Sequence, residues 1–131
     1  MGETSLSKAK PNTKGEDKME CIFCQIVAGK VPSEILYQDE EVIAFRDIHP
    51  QAQVHLLIIP KKHVPSLAQL PDAEMPLIGH MAKVASQLAK REGIYESGFR
   101  LVINSGKEGG QLVPHLHMHL LGGRKLLGTL G

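Results

Sequence analysis

Three histidines alternate with apolar residues near the end of this chain, at His115, His117 and His119. We expect residues 114–121 to form a strand, in which side chains two apart share one face, so the imidazoles lie together on an open surface. A neutral imidazole is a good nucleophile near pH 7 when one nitrogen is free and the other keeps its proton on an acceptor. The central residue, His117, is therefore the predicted nucleophile. The opposite face is apolar and is expected to pack on the core: Leu116, Met118 and Leu120.

Two other interpretations of this histidine pattern stay open. The first is a solvated strand face that happens to use histidine, although Lys, Glu and Thr are the usual residues there. The second is a metal-binding stripe. Three imidazoles at alternate positions of a strand span about 13 Å, however, and cannot all reach one ion.

A glycine-rich segment, residues 105–110, precedes the histidines by a few positions. Such a turn can bring backbone N–H groups close to a phosphate, because glycine adopts conformations that other residues avoid. Most glycine-rich turns are only turns, so this segment supports a phosphate site only in combination with the histidines.

Cys21 and Cys24 have the spacing of a metal-ligand pair. A redox pair, or two small buried residues, are the alternatives; the strand-to-helix context of a thioredoxin-like pair is not found here. A tetrahedral zinc site needs two further ligands, and the candidates are His63 and His115. Such a site would connect the N-terminal helix to the sheet.

Composition limits the classes of function. The 131 residues suggest one domain, and 15 Lys and Arg against 14 Asp and Glu argue against a nucleic-acid-binding protein. Two cysteines are too few for a disulfide framework. The first twenty residues lack the apolar region of a signal peptide, and no run of about 18 apolar residues predicts a membrane span. The expectation is a soluble cytoplasmic protein without a membrane partner.

The element order predicts an α+β fold. Residues 1–18 are polar and are expected to form a disordered leader or an expression remnant, with the domain at 19–131. Residues 22–28 predict a short helix, and residues 34–39, 41–47, 54–59 and 99–104 predict strands. Asp72 is the expected N-cap of a long helix reaching about Glu92 and ended by Gly93. One apolar stripe should bury this helix: Met75, Ile78, Met81, Ala82, Ala85 and Leu88.

Several segments together resemble the histidine-triad (HIT) superfamily. The segment from His115 to Leu121 matches its His-φ-His-φ-His-φ-φ signature, where φ is apolar. The resemblance extends from about Cys21 to Arg124 and is strongest to the purine-nucleoside phosphoramidase branch. The other matching segments are residues 47–52, 55–63, Asn104, 109–111 and 121–124.

The resemblance implies a five-stranded antiparallel sheet with one short and one long helix. It also implies a homodimer in which two such sheets join into one of ten strands. The activity implied is hydrolysis at the α-phosphate of a purine nucleotide such as an AMP-amine, through a nucleotidyl-histidine intermediate. Two alternatives remain: a dinucleoside polyphosphate hydrolase, and a non-catalytic nucleotide-binding protein.

The resemblance also implies roles for individual residues. His117 attacks phosphorus, His119 contacts the phosphate, and His55 belongs to the supporting catalytic set. Asp47 binds the ribose hydroxyls, while Asn104 and the backbone of Gly110 face the phosphate. Four apolar residues form the base pocket: Ile22, Phe23, Phe45 and Ile48. In zinc-bearing members the metal ligands match Cys21, Cys24, His63 and His115; no cofactor is needed for the chemistry.

Three positions depart from the family pattern. Leu112 lies at a nucleotide-contacting position where the family usually has Ser or Thr, whose hydroxyl serves the phosphate and the leaving group. Loss of one donor at a charged transition state costs about 3 kcal/mol. Pro114 replaces a common aromatic residue, and the tail after Arg124 has no Trp. The rate and the leaving-group preference are therefore the properties that the sequence leaves undefined.

Overall fold

The computed structural model describes residues 21–128, so the expectation for residues 1–18 lies outside the described part. The chain forms one five-stranded antiparallel sheet in the order β1-β2-β3-β5-β4. The strands are β1 (Ile35–Gln38), β2 (Val42–Arg46), β3 (Val54–Pro60), β4 (Phe99–Val102) and β5 (Met118–Gly122). The helices are α1 (Ile22–Val27) and α2 (Pro76–Arg91), with two short 3-10 turns, Leu67–Gln69 and Asp72–Glu74. The predicted α+β fold is confirmed.

Both faces of the central strands are covered. Val54, Leu56 and Ile58 of β3 pack with α2, whereas Leu57 and Ile59 pack with α1. All seven residues of β3 are buried, because neither face meets water. The sequence of such a strand is a continuous run of apolar residues and does not alternate between apolar and polar residues. The sheet therefore separates an α2 side from an α1 side, and the histidines of β5 and β3 open toward the α1 side.

The long helix begins later than the sequence predicted. Asp72 lies in the 3-10 turn Asp72–Glu74 and caps nothing; α2 starts at Pro76, whose fixed φ and missing N–H suit the first helical position. The C-terminal prediction is confirmed: Glu92 is the cap and Gly93 follows with φ 78°. Met75, expected on the buried stripe, is 40% exposed. The stripe also includes two residues that the prediction missed, Val84 and Ala89.

The last strand is shorter than predicted, because β5 begins only at Met118. Its register pairs Met118 with Ile58 and would place Leu116 opposite Pro60, which has no N–H to donate. The N–H of Leu116 instead donates to the carbonyl of Val64 at 2.7 Å. The strand predicted at 99–104 likewise ends at Val102, opposite His119.

Among residues 21–128, no helix has both the length and the hydrophobicity that crossing a membrane requires.

Candidate active site

The histidine segment does not expose its imidazoles as predicted. His115 is fully buried and His117 is 5% exposed, and both precede β5 rather than lie on it. Only His119 is a strand residue, and it is half-buried. The apolar alternation is confirmed, since Leu116, Met118 and Leu120 join the core on the α2 side. The three histidines therefore differ in environment, and they do not form one uniform surface.

His117 is held in one tautomer by the backbone. Its Nδ1 lies 2.7 Å from the carbonyl oxygen of His115, which can only accept, so Nδ1 carries the proton. The lone pair is then on Nε2. Burial lowers the pKa of His117, against the opposing effect of this hydrogen bond, which keeps the ring neutral near pH 7. A neutral, oriented imidazole with a free Nε2 is the arrangement that nucleophilic attack requires.

A series of hydrogen bonds determines which nitrogen of His119 carries the proton. The backbone N–H of Gln51 donates to Nδ1 of His55 at 3.0 Å, so the proton of His55 is on Nε2. That Nε2 lies 2.9 Å from Nδ1 of His119 and donates to it, with Oδ2 of Asp47 at 3.4 Å as a second acceptor. His119 therefore carries its own proton on Nε2, as a donor for an anion.

The pKa values agree with these neutral tautomers. Burial, together with the neighbouring His117 and His55, lowers the pKa of His119 to about 4, against the opposing charge of Asp47. Burial also lowers the pKa of His55, partly offset by the charge of Asp47. Both rings are consequently uncharged near pH 7, and they act as hydrogen-bonding groups rather than as cations.

A cleft of about 500 Å³ lies against these histidines. It is lined by all eleven residues that the sequence analysis assigned to catalysis or nucleotide contact: Ile22, Phe23, Phe45, Asp47, Ile48, His55, Asn104, Gly110, Leu112, His117 and His119. The sequence analysis missed nine further lining residues, and periodicity could have revealed two of them. Ile26 is one helical turn after Ile22, and Leu57 is two strand positions after His55.

The apolar end of the cleft is built by α1 and β2. The ring of Phe23 contacts those of Phe45 and His117 edge-on, with centroids 5.7 and 5.2 Å away. Phe23 and Phe45 are both buried and belong to the apolar cluster on the α1 side. This end suits a flat aromatic group, and it adjoins the buried His117.

The glycine-rich turn forms the opposite wall. A Cβ on Gly109 would lie 2.6 Å from the carbonyl oxygen of Ser105, and Gly110 has φ 84°. Both positions therefore need glycine. Gly110 of this turn and Asn104, which precedes the turn, both line the cleft. These groups are available to an anionic ligand beside His117.

A second cluster lies behind the histidines. Ligand atoms of Cys21, Cys24, His63 and His115 are all within 4.8 Å of one another. Nδ1 of His115 is 3.4 Å from the sulfur of Cys21, and Nδ1 of His63 is 3.2 Å from that of Cys24. The Nε2 of His115 donates to the carbonyl of Pro60 at 2.9 Å, which leaves Nδ1 unprotonated and directed at the sulfurs.

This donor set fits zinc. Two thiols and two imidazole nitrogens are the ligands of a closed tetrahedral site. A hydrogen bond from the Cys24 side chain, together with one from His63, shifts the pKa of Cys21 far below its usual value, against the effect of burial. The thiolate that a metal requires is therefore favoured. The helix N-cap at Cys21 and the single turn to Cys24 place both sulfurs on one side of α1.

Comparison with known proteins agrees with this geometry. Residues 28–126 match the family model of the HIT domain, and this chain belongs to that family. It is 49% identical to the purine nucleoside phosphoramidase of Escherichia coli (strain K12) over 107 residues, which cover 82% of this chain and 90% of that protein. The relatives include hydrolases. The cleft and its histidines agree with a hydrolase that acts on nucleotides.

Two solved structures show the same fold. A histidine triad protein from Clostridium difficile aligns with TM-score 0.83 and 46% identity, covering 86% of this chain and 97% of that one. A Zn-bound histidine triad family protein from Mycobacterium smegmatis aligns with TM-score 0.72 and 33% identity, covering 82% of this chain and 77% of that one.

Proposed function

We propose that this protein is a nucleoside phosphoramidase that hydrolyses the phosphorus–nitrogen bond of a purine nucleotide such as an AMP-amine. The observation that carries the proposal is the 2.7 Å hydrogen bond from Nδ1 of His117 to the His115 carbonyl, which leaves Nε2 free beside the cleft. The phosphoramidase relative from Escherichia coli supports the same substrate class.

The proposed roles follow the cleft from its apolar end. The purine lies against Phe23 and Phe45, and Ile22 and Ile48 complete its pocket. Asp47 accepts from the ribose hydroxyls. The phosphate receives hydrogen bonds from Asn104, the Gly110 backbone and Nε2 of His119, whose tautomer His55 sets. Neutral donors suffice, because fixed dipoles stabilise an anion without a counter-charge.

The reaction proceeds in two displacements. The Nε2 lone pair of His117 forms a bond to the α-phosphorus, and the phosphorus–nitrogen bond to the amine breaks with its electron pair on the amine. Water gives the departing nitrogen a proton, and the oxygen that remains then attacks phosphorus. The bond between phosphorus and Nε2 breaks, its electrons return to His117, and the nucleoside monophosphate is released. His117 is thus regenerated.

The test is turnover of a fluorogenic adenosine phosphoramidate. His117→Asn should lower kcat by at least about a thousand-fold, because the nucleophile is gone while its neighbours remain. His49→Asn is the matched control, since His49 lines the same cleft but is exposed, and no hydrogen bond or ring contact described for residues 21–128 joins it to His117 or His119. Unchanged turnover in the His117 variant would rule out the proposal.

A second candidate function is binding without turnover. Leu112, in place of the family's Ser or Thr, motivates it. Tight AMP binding combined with no hydrolysis of a phosphoramidate or of a diadenosine polyphosphate would favour it. Efficient AMP release from the diadenosine compound alone would favour a dinucleoside polyphosphate hydrolase instead.

Three further features belong to the proposal. Cys21, Cys24, His63 and His115 hold a structural zinc ion, which supplies folding energy and takes no part in the chemistry. Two copies of the chain pair through the edge strand β4 into one sheet of ten strands. The protein works in the cytoplasm.

A further inference from the structure

Leu112 is exposed without a reason in the fold. Its side chain is 91% exposed, the largest exposure among the exposed large apolar residues between 21 and 128. The next residue, Val113, packs against the apolar cluster on the α1 side. The backbone thus places Val113 inward and Leu112 at the mouth of the cleft. An exposed leucine contributes almost nothing to the hydrophobic stabilisation of the folded chain.

The backbone around Leu112 is held firmly. The side chain of Gln111 donates to the carbonyls of Pro65 and Val113, at 2.7 and 2.9 Å. Its Oε1 accepts from the N–H of Gly106 at 2.8 Å. Leu112 is therefore presented at a fixed place on the cleft wall, and its exposure is not that of a loose loop.

The direction of attack determines what meets Leu112. His117 is buried at the floor of the cleft, and displacement at phosphorus places the leaving group in line with the nucleophile, on the far side. The leaving group therefore points outward, away from the floor. Leu112 lies two residues after Gly110 on the wall proposed to face the phosphate, and Ile48, 81% exposed, also lines the cleft.

We propose that Leu112 is a specificity-determining residue that selects substrates whose leaving group carries an apolar chain. This inference rests on the phosphoramidase activity proposed above and narrows its substrate class. An alkyl or aryl group on the departing amine would cover Leu112 and remove its apolar surface from water, which lowers the free energy. A polar chain would not provide this stabilisation. A Ser or Thr at this position offers a hydroxyl instead of an apolar surface.

Two adenosine phosphoramidates test the proposal, one of hexylamine and one of 5-aminopentan-1-ol. These amines match in length and differ at the tip, which is methyl in one and hydroxyl in the other. The wild-type protein should favour the hexylamine compound about tenfold in kcat/KM, the usual effect of one small apolar group. In Leu112→Ala the ratio should fall to within about twofold. Leu112→Ser should lose the preference as well, because it also lacks the apolar side chain.

The control is Leu127→Ser, which removes another exposed leucine outside the cleft. It should keep the wild-type ratio. AMP binding should weaken less in the Leu112 variants than binding of the hexylamine compound, since AMP lacks the leaving group. A ratio near one in the wild type, or a loss of AMP affinity in Leu112→Ala equal to the loss for the hexylamine compound, would overturn the inference. Failure of the proposed function looks different: neither phosphoramidate is hydrolysed by the wild type.

Discussion

At the scale of single residues, the proposed function depends on which nitrogen of each histidine carries the proton. The His115 carbonyl determines the tautomer of His117. The Gln51 N–H determines the tautomer of His55, and His55 in turn determines that of His119. The alternation of histidines in the sequence was enough to propose the reacting residues. It could not reveal these tautomers, because the deciding partners are backbone groups and a ring from another strand.

The lowered pKa values of His55 and His119 predict how stability depends on pH. The pKa of His119 is about 4 in the folded chain, below the ordinary histidine value of 6.5, so the unfolded chain binds protons first as pH falls. The contribution of His119 to the free energy of unfolding should therefore be constant above about pH 6.5 and should decrease as the pH falls from 6.5 to 4. Urea denaturation at a series of pH values measures it.

Variants separate this effect from other acid-labile groups. Asp47 and His117 face His119 and stay in place in His119→Asn, which should show a weaker decrease over the same pH range. His49→Asn, which changes an exposed histidine, should follow the wild type. Parallel curves for the wild type and His119→Asn would contradict the predicted origin of the pH dependence.

At the scale of elements, the sequence predicted which segments are helical or extended better than where they begin. The start of α2 was placed at Asp72 because its side chain suits a cap, but Pro76 fixes the first helical turn. The start of β5 was placed too early, because its limit depends on Pro60 of the paired strand. Such limits are set by tertiary partners and cannot be seen in local sequence.

The edge strand β4 gives the element-scale prediction. Within residues 21–128 it pairs only with β5, so no described strand bonds the backbone groups of its outer side, and its residues are all half-buried. Such an edge is a template for pairing with another chain. We expect a dimer by light scattering, and amide hydrogen exchange in β4 that quickens on dilution. The other edge, β1, serves as the internal control and should not respond to dilution. A monomer at all concentrations would contradict the ten-stranded sheet.

At the scale of the whole molecule, the cysteine–histidine cluster joins distant parts of the chain. Cys21 and His115 are 94 positions apart, and their side chains meet beside β3. The sequence predicted all four members from spacing and resemblance. It could not show that His115 also supports His117 through its carbonyl. His115 thus links the cluster to His117 of the cleft.

Metal removal should therefore affect more than stability. Protein purified without added metal should contain about one zinc per chain. Chelation should lower the Tm by at least about 10 °C, since metal binding contributes folding energy. It should also weaken AMP binding and broaden the Nδ1–H proton resonance of His117. Cys24→Ala should reproduce these changes without a chelator.

If the purified protein contains no metal, or if its Tm does not respond to chelation, the metal proposal is wrong. Cys21 and Cys24 would then be interpreted as small apolar core residues.

The double use of His115 has a consequence for genetics. Its ring belongs to the cluster, and its backbone carbonyl accepts from the proposed nucleophile His117. Every residue type supplies that carbonyl, so a substitution would act on His117 only by displacing the backbone once the ring no longer anchors it. Stability and catalysis should fail together at this codon, and a revertant elsewhere that restores thermal stability alone should leave the catalytic defect uncorrected. The measured tolerance of each position to substitution would thus identify His115 as a residue constrained by both stability and catalysis.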